Sequence, residues 1–264
     1  SPSRGLGDVY KRQVVAPPVA TALIVVSTTA PLWVPVALLL LCIPLLRVVP
    51  LPHRPPDHRR TRLWHDLQAG LGTLVGRPAL RRTMLITTIG FAGTAALFVA
   101  APVIAQKDTG SLGFTGVILG VFSVGGLASA VWFARRPIRR PDRTVIVTMA
   151  LSGLFLLGVG MAPTTWLMLV MAFAMGATEP PMFSSMFRIR ARESAPEVQA
   201  QVFTTSASLR TTAFAIGTAL FGWLLHWGLG AVIAAGVALH VLALVLGVMF
   251  GPPLPPRSHW RRAR

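Results

Sequence analysis

Long apolar runs broken by short polar ones set the pattern of this chain. Six runs follow one another over residues 83–105, 114–134, 144–162, 166–187, 201–225 and 229–250. Each is close to the ~20 residues a helix needs to cross a ~30 Å hydrocarbon layer. A chain inside a bilayer must satisfy its own backbone hydrogen bonds, so runs of this length predict helices. A further run of that length, 31–49, lies upstream with Trp33 at one edge and Arg47 at the other, and a shorter apolar stretch, 14–29, precedes it. The expected fold class is all-α integral membrane, with six complete spans preceded by one complete and one partial span.

The polar segments carry the organisation. Residues 50–82 form a basic linker, rich in Pro and Arg at its start. In its second part Leu63, Leu67, Leu71 and Leu74 recur at helical spacing, which predicts an amphipathic helix on the membrane surface. Residues 251–264 make a basic tail. Residues 1–13 do not match the remainder. They hold the only tyrosine, Tyr10, and one of two lysines, Lys11, whereas the rest uses Arg almost exclusively. They resemble adapter-derived read-in, which predicts that the natural protein starts further upstream and that this chain is truncated.

Composition agrees with the span pattern. The chain is 53% hydrophobic and 12% charged, against roughly 25% charged in ordinary soluble domains. The net charge of +17 invites a nucleic-acid reading until the charges are placed. Of 25 basic residues, 20 fall on one side of the alternating spans and Lys107 stands alone on the other. That asymmetry puts the basic side, including the C-terminus, in the cytoplasm of a plasma (inner) membrane protein. It also removes nucleic acid as a partner, because the charge is spread over every inner loop with no aromatic-and-basic module. One cysteine, Cys42, lies in an apolar run, so neither a disulfide framework, a metal site nor a cofactor is expected.

The chemistry concentrates in Ala174-Met-Gly-Ala-Thr-Glu-Pro-Pro-Met182, inside the fourth of the six runs. A carboxylate in hydrocarbon is costly, and two prolines remove two backbone donors, so Glu179 is expected on an irregular helix as a substrate- or proton-coupling residue. Arg210 lies nine residues into the next span, among Thr204, Thr205, Ser206, Ser208, Thr211 and Thr212; it is the natural partner of Glu179 or a ligand for an anionic group. Thr87, Phe91, Thr94 and Phe98 share a helical face of the first span and are candidates for lining a cavity. His240, mid-span in the last segment, reads as a packed neutral histidine. Gly116 and Gly120 read as a close helix contact.

The basic linker, the six spans, short outer loops and basic inner loops together resemble the second half of a major facilitator superfamily transporter. Residues 110–126 (GSLGFTGVILGVFSVGG) look like that family's eighth span with its outer approach. Residues 193–199 and 206–222 look like the loop and eleventh span of actinobacterial drug-efflux-like members. The family's Asp-Arg loop motif has only a degenerate echo here, in Arg135, Arg136, Arg139, Arg140, Asp142 and Arg143, and Ala16-Pro-Pro-Val-Ala-Thr21 stands in the place of the antiporter motif without its glycines.

The resemblance implies a twelve-span transporter of which this chain holds the six-helix C-terminal bundle, 83–250, and the last one to two spans of the N-terminal bundle, 14–49. It implies a secondary transporter rather than an enzyme, embedded in the lipid bilayer. The expected activity is proton-coupled efflux of small amphiphilic compounds by alternating access, with a missing N-terminal half completing the site. Proton-coupled uptake of a sugar or another nutrient is the alternative. From other classes, a membrane enzyme would need a catalytic cluster, and a permease subunit of a nucleotide-driven transporter a partner-docking loop. Neither is recognisable, and the chain has no phosphate-binding Gly-Lys-Ser/Thr loop of its own.

Overall fold

The computed structural model describes residues 71–136 and 138–251, with a few isolated positions between 33 and 41 and without the side chains of residues 196 and 197. The readings made for residues 1–13, the two upstream runs, the first part of the linker and the tail lie outside the described residues.

Among the described residues six long helices cross the membrane and no strand forms. They are α1 (Pro78–Thr109), α2 (Phe114–Arg135), α3 (Pro141–Met161), α4 (Thr165–Glu193), α5 (Pro196–Leu224) and α6 (Leu229–Met249), with a 3-10 turn, Leu225–Trp227, between the last two. Short connections make sequential helices antiparallel. The N-termini of α1, α3 and α5 therefore share the Arg-rich end with the C-termini of α2, α4 and α6.

Local sequence fixes the ends. α1, α3 and α5 each begin on a proline in the first turn, where the missing N–H has no partner to lose and φ is already helical. Thr164 caps α4, its side chain accepting from the Leu167 N–H at 3.3 Å. Gly110 ends α1 at φ 67°, a left-handed cap suited to glycine, and its N–H donates to the Gln106 carbonyl.

The helices run past the hydropathic runs at the basic end. α1 has 32 residues and α4 has 29, lengths of roughly 48 and 43 Å at ~1.5 Å per residue. A run of apolar residues marks the edge of the hydrocarbon and not the end of the helix. Arg81 and Arg82, read as linker, lie in the first turns of α1, and Arg188, Arg190 and Arg192, read as loop, are helical in α4. Leu71–Gly76 is also helical, but Leu74 is 1% exposed and packs into the bundle with Leu80, Ile86 and Val145. That leucine faces protein, while Leu71 remains exposed.

α1 is the central helix. It packs along α6 and α5 and also touches α2, α3 and α4, while α4 is held chiefly by α3 and α2. One apolar cluster fills the half nearer the Lys107 end, with Leu97, Ile104, Ile118, Met168 and Ile233; a second, with Ile86, Met149, Met182, Met186 and Ile189, fills the basic half. α2 and α4 cross closely at Gly125 and Gly176, and Gly120 takes no part in the crossing. A Cβ on Gly125 would run into the Phe173 carbonyl and one on Gly176 into the Phe122 carbonyl, whereas Gly120 has open space. α5 is held chiefly by α1, meeting α4 and α6 only sparsely. Only 11% of its apolar stretch is buried, against half or more in α1 and α4.

Candidate functional site

α4 continues through its two prolines. Pro180 and Pro181 lie inside one unbroken helix and both are buried, so the irregularity expected at Glu179 does not appear as a break. Two lost amides in a 29-residue ladder cost several kcal/mol at ~3 kcal/mol each, and the burial of this half of α4 against α2 and α3 offsets that cost. Thr178 hydroxyl donates to the Met175 carbonyl at 2.7 Å and supplies a local hydrogen bond just before the prolines.

Glu179 is partly exposed, and the charge acting on its carboxylate is that of Arg210. Arg210 reaches inward from α5. Its Cζ lies 4.6 Å from the Phe183 ring centroid and 5.0 Å from that of Phe91, and Nη1 is 3.8 Å from the Met186 sulfur. The guanidinium thus sits among α1, α4 and α5, against two aromatic faces that favour a cation. Its place on these rings accounts for a charged residue deep in a span better than a long side chain reaching for the surface.

The rings near Arg210 form a continuous run over four helices. Phe122 of α2 meets Phe98 of α1 at 5.9 Å; Phe98 meets Phe214 of α5 at 5.4 Å; Phe214 meets Phe91 at 5.5 Å; and Phe91 meets Phe183 at 5.9 Å. Phe183, Phe187 and Phe203 extend it toward the basic end. Each pair contributes roughly 0.5–1.5 kcal/mol beyond simple burial.

The four positions singled out on the first span separate in the structure. Phe91 and Phe98 belong to this aromatic run, and Phe98 is 36% exposed. Thr87 and Thr94 are buried, with hydroxyls donated to their own helix, to the Thr83 carbonyl at 2.7 Å and the Gly90 carbonyl at 3.2 Å. His240 is 1% exposed, its Nδ1 2.8 Å from the Gly236 carbonyl. It occupies a slot made by Gly93 and Gly153, where an added Cβ would fall 2.6 Å from the imidazole Nδ1 and 2.8 Å from the His240 Cβ respectively.

A second polar cluster ties the basic end together. Asp142, in the first turn of α3, is 3% exposed. It accepts from Arg82 Nη2 of α1 at 2.6 Å and from Arg192 of α4 at 3.1 and 3.3 Å, and Arg192 Nε also donates to Glu193 at 2.8 Å. Sequence reasoning saw Asp142 only as part of a degenerate loop motif and left Arg82 in the linker. A lone acid in a loop of five arginines was the available signal. The same region holds Arg190, 2% exposed, one turn from Met186 on the face of α4 that meets Arg210. No group of three or more His, Cys, Asp or Glu side chains able to hold a metal occurs among the described residues.

No curated protein and no solved structure gives a significant match to the chain. The family model described as Major Facilitator Superfamily matches residues 83–264, a stretch that includes all but the first turns of α1 and the whole of the other five spans. With six membrane-crossing helices built on that stretch, the chain belongs to the major facilitator superfamily, whose members are secondary membrane transporters.

Proposed function

We propose that this chain serves proton-coupled secondary transport of small amphiphilic compounds, with Glu179 as the coupling carboxylate and Arg210 as its counter-charge. The observation that carries this reading is the seat of Arg210 against Phe183 and Met186, on the face of α4 that also bears Glu179. A carboxylate at mid-span on α4 is acted on by a guanidinium from α5 that is seated on aromatic rings. Ionisable groups inside a span are costly and cluster on substrate and proton pathways. The sparsely packed α5, with Thr204, Ser208, Thr211 and Thr212 exposed in its first half, is suited to face an opposing bundle across a polar cleft, as alternating access requires.

Export is the first reading, and its logic is exchange: a cationic substrate competes with the proton for Glu179. Uptake is the second reading, and the excess of cationic over acidic side chains favours it. Arg190 and Arg210 outnumber Glu179 on one face of α4. An anion that takes Arg210 leaves Glu179 to be neutralised by a proton, so anion and proton bind together and move together. Accumulation of labelled aromatic anions and cations in everted vesicles, with and without an imposed pH gradient, tests both. Gradient-driven movement of cations into the vesicles supports export, and gradient-driven movement of anions with the proton supports uptake. Fluxes of both that ignore the gradient remove the coupling role.

A further inference from the structure

Positions 179, 183, 186 and 190 of α4 recur at steps of three and four and share one face. Arg210 meets this stripe at its middle, against Phe183 and Met186. Arg190 lies one turn further toward the basic end, 2% exposed, and the charge acting on it is again that of Arg210. Glu179 lies on the other side of Arg210. The stripe therefore carries a carboxylate and a guanidinium, and the guanidinium of Arg210 meets it between them. Of the acids at this end whose side chains are described, Asp142 is engaged by Arg82 and Arg192, and Glu193 by Arg192. Among the described side chains no carboxylate pairs with Arg190. A buried cation left without an anion is strongly destabilising, and a second cation within electrostatic reach adds to that cost. An arginine fork suits a planar or tetrahedral oxyanion. The rings beside it suit an apolar body.

We propose that Arg190 and Arg210 form an anion-binding site between α4 and α5 that takes the acidic group of an amphiphile, whose apolar part lies against Phe91, Phe98 and Phe214. This rests on the second of the two transport readings, in which an anion takes Arg210, and narrows its substrate class to carboxylates, sulfonates and phosphates. A soluble aromatic acid and the phosphate of an anionic lipid share that chemistry.

The test is direct binding to the full chain in phosphatidylcholine nanodiscs, by titration calorimetry with empty discs subtracted. The probes are naphthalene-2-sulfonate and its uncharged analogue naphthalene-2-sulfonamide. Saturable binding of the sulfonate in preference to the sulfonamide is expected. Arg190→Gln and Arg210→Gln are each expected to weaken the sulfonate by about tenfold, the scale of one charge-assisted hydrogen bond, and to leave the sulfonamide unchanged. Arg190→Lys retains most of the affinity, which separates charge from packing, and circular dichroism with size-exclusion chromatography checks that each variant is folded. Replacing part of the lipid with phosphatidylglycerol distinguishes the sources: competition with the sulfonate identifies a lipid phosphate as the ligand, and its absence a soluble acid. Equal loss of both probes in the Gln variants, or no loss of the sulfonate, overturns the site. Sulfonate-selective binding without coupled transport in vesicles would remove the transport reading and leave the site standing; coupled transport with unselective binding would do the reverse.

Discussion

Arg82 and Asp142, sixty residues apart in sequence, meet at 2.6 Å with each side chain 3% exposed. The contact joins the start of α1 to the start of α3, and Arg192 brings in the end of α4. Three helices whose apolar surfaces would allow sliding are thereby fixed at one end by directional bonds.

Asp142→Asn removes the charge that holds two arginines. Breaking one side of a buried pair costs about 3–5 kcal/mol because the other charge stays buried. Arg192 is 39% exposed, so Arg192→Gln is expected to cost far less. Thermal unfolding in detergent checks the order. A smaller loss for Asp142→Asn than for Arg192→Gln would mean that the pair does not hold the bundle.

Gly176 and Gly125 allow α2 and α4 to touch backbone to backbone, because added Cβ atoms would meet carbonyls that cannot turn aside. Gly176→Ala is expected to destabilise by at least ~1–3 kcal/mol, as overpacking does. Gly120 has nothing within 4 Å of its would-be Cβ, so Gly120→Ala is expected to be neutral or to stabilise by up to ~1 kcal/mol through helix propensity. Denaturant titration of the two variants in mixed micelles separates them, and equal effects would contradict the crossing.

Glu179→Arg and Arg210→Glu each put two like charges on the facing sides of α4 and α5. Each single change is expected to abolish gradient-driven transport and to lower stability, while the double exchange recovers much of the stability and part of the transport. A double variant no better than the worse single would show that the two residues act separately.

Phe98 packs on Phe122 and Phe214 while remaining 36% exposed. Phe98→Ala is expected to weaken an aromatic substrate by roughly 1 kcal/mol, about fivefold. Thr87→Val should leave substrate affinity unchanged, since its hydroxyl is bound to the Thr83 carbonyl of its own helix. Substrate protection of tryptophan fluorescence across the two variants reads this. A larger effect at Thr87 than at Phe98 would reassign the binding face.

The site was only partly legible in the sequence. Glu179 and Arg210 stood out because a charge in an apolar run is rare and costly, and that rule needs no partner to apply. Phe91 and Phe98 could not be told from Thr87 and Thr94, because helical spacing gives a shared face but not what the face touches. Arg190 was invisible among the loop arginines: whether an arginine at a span end is solvated or buried depends on how far the helix continues and on what packs beside it.

Hydrophobic periodicity, charge asymmetry and the prolines and glycines at helix ends determined the six spans and their alternation, because each is a local consequence of putting a backbone into hydrocarbon. Tertiary structure alone decided which glycines cross, that Asp142 gathers Arg82 and Arg192, and that Arg210 settles on Phe91 and Phe183 beside Glu179 and Arg190. Those choices depend on contacts between residues tens of positions apart, whose geometry no single span encodes.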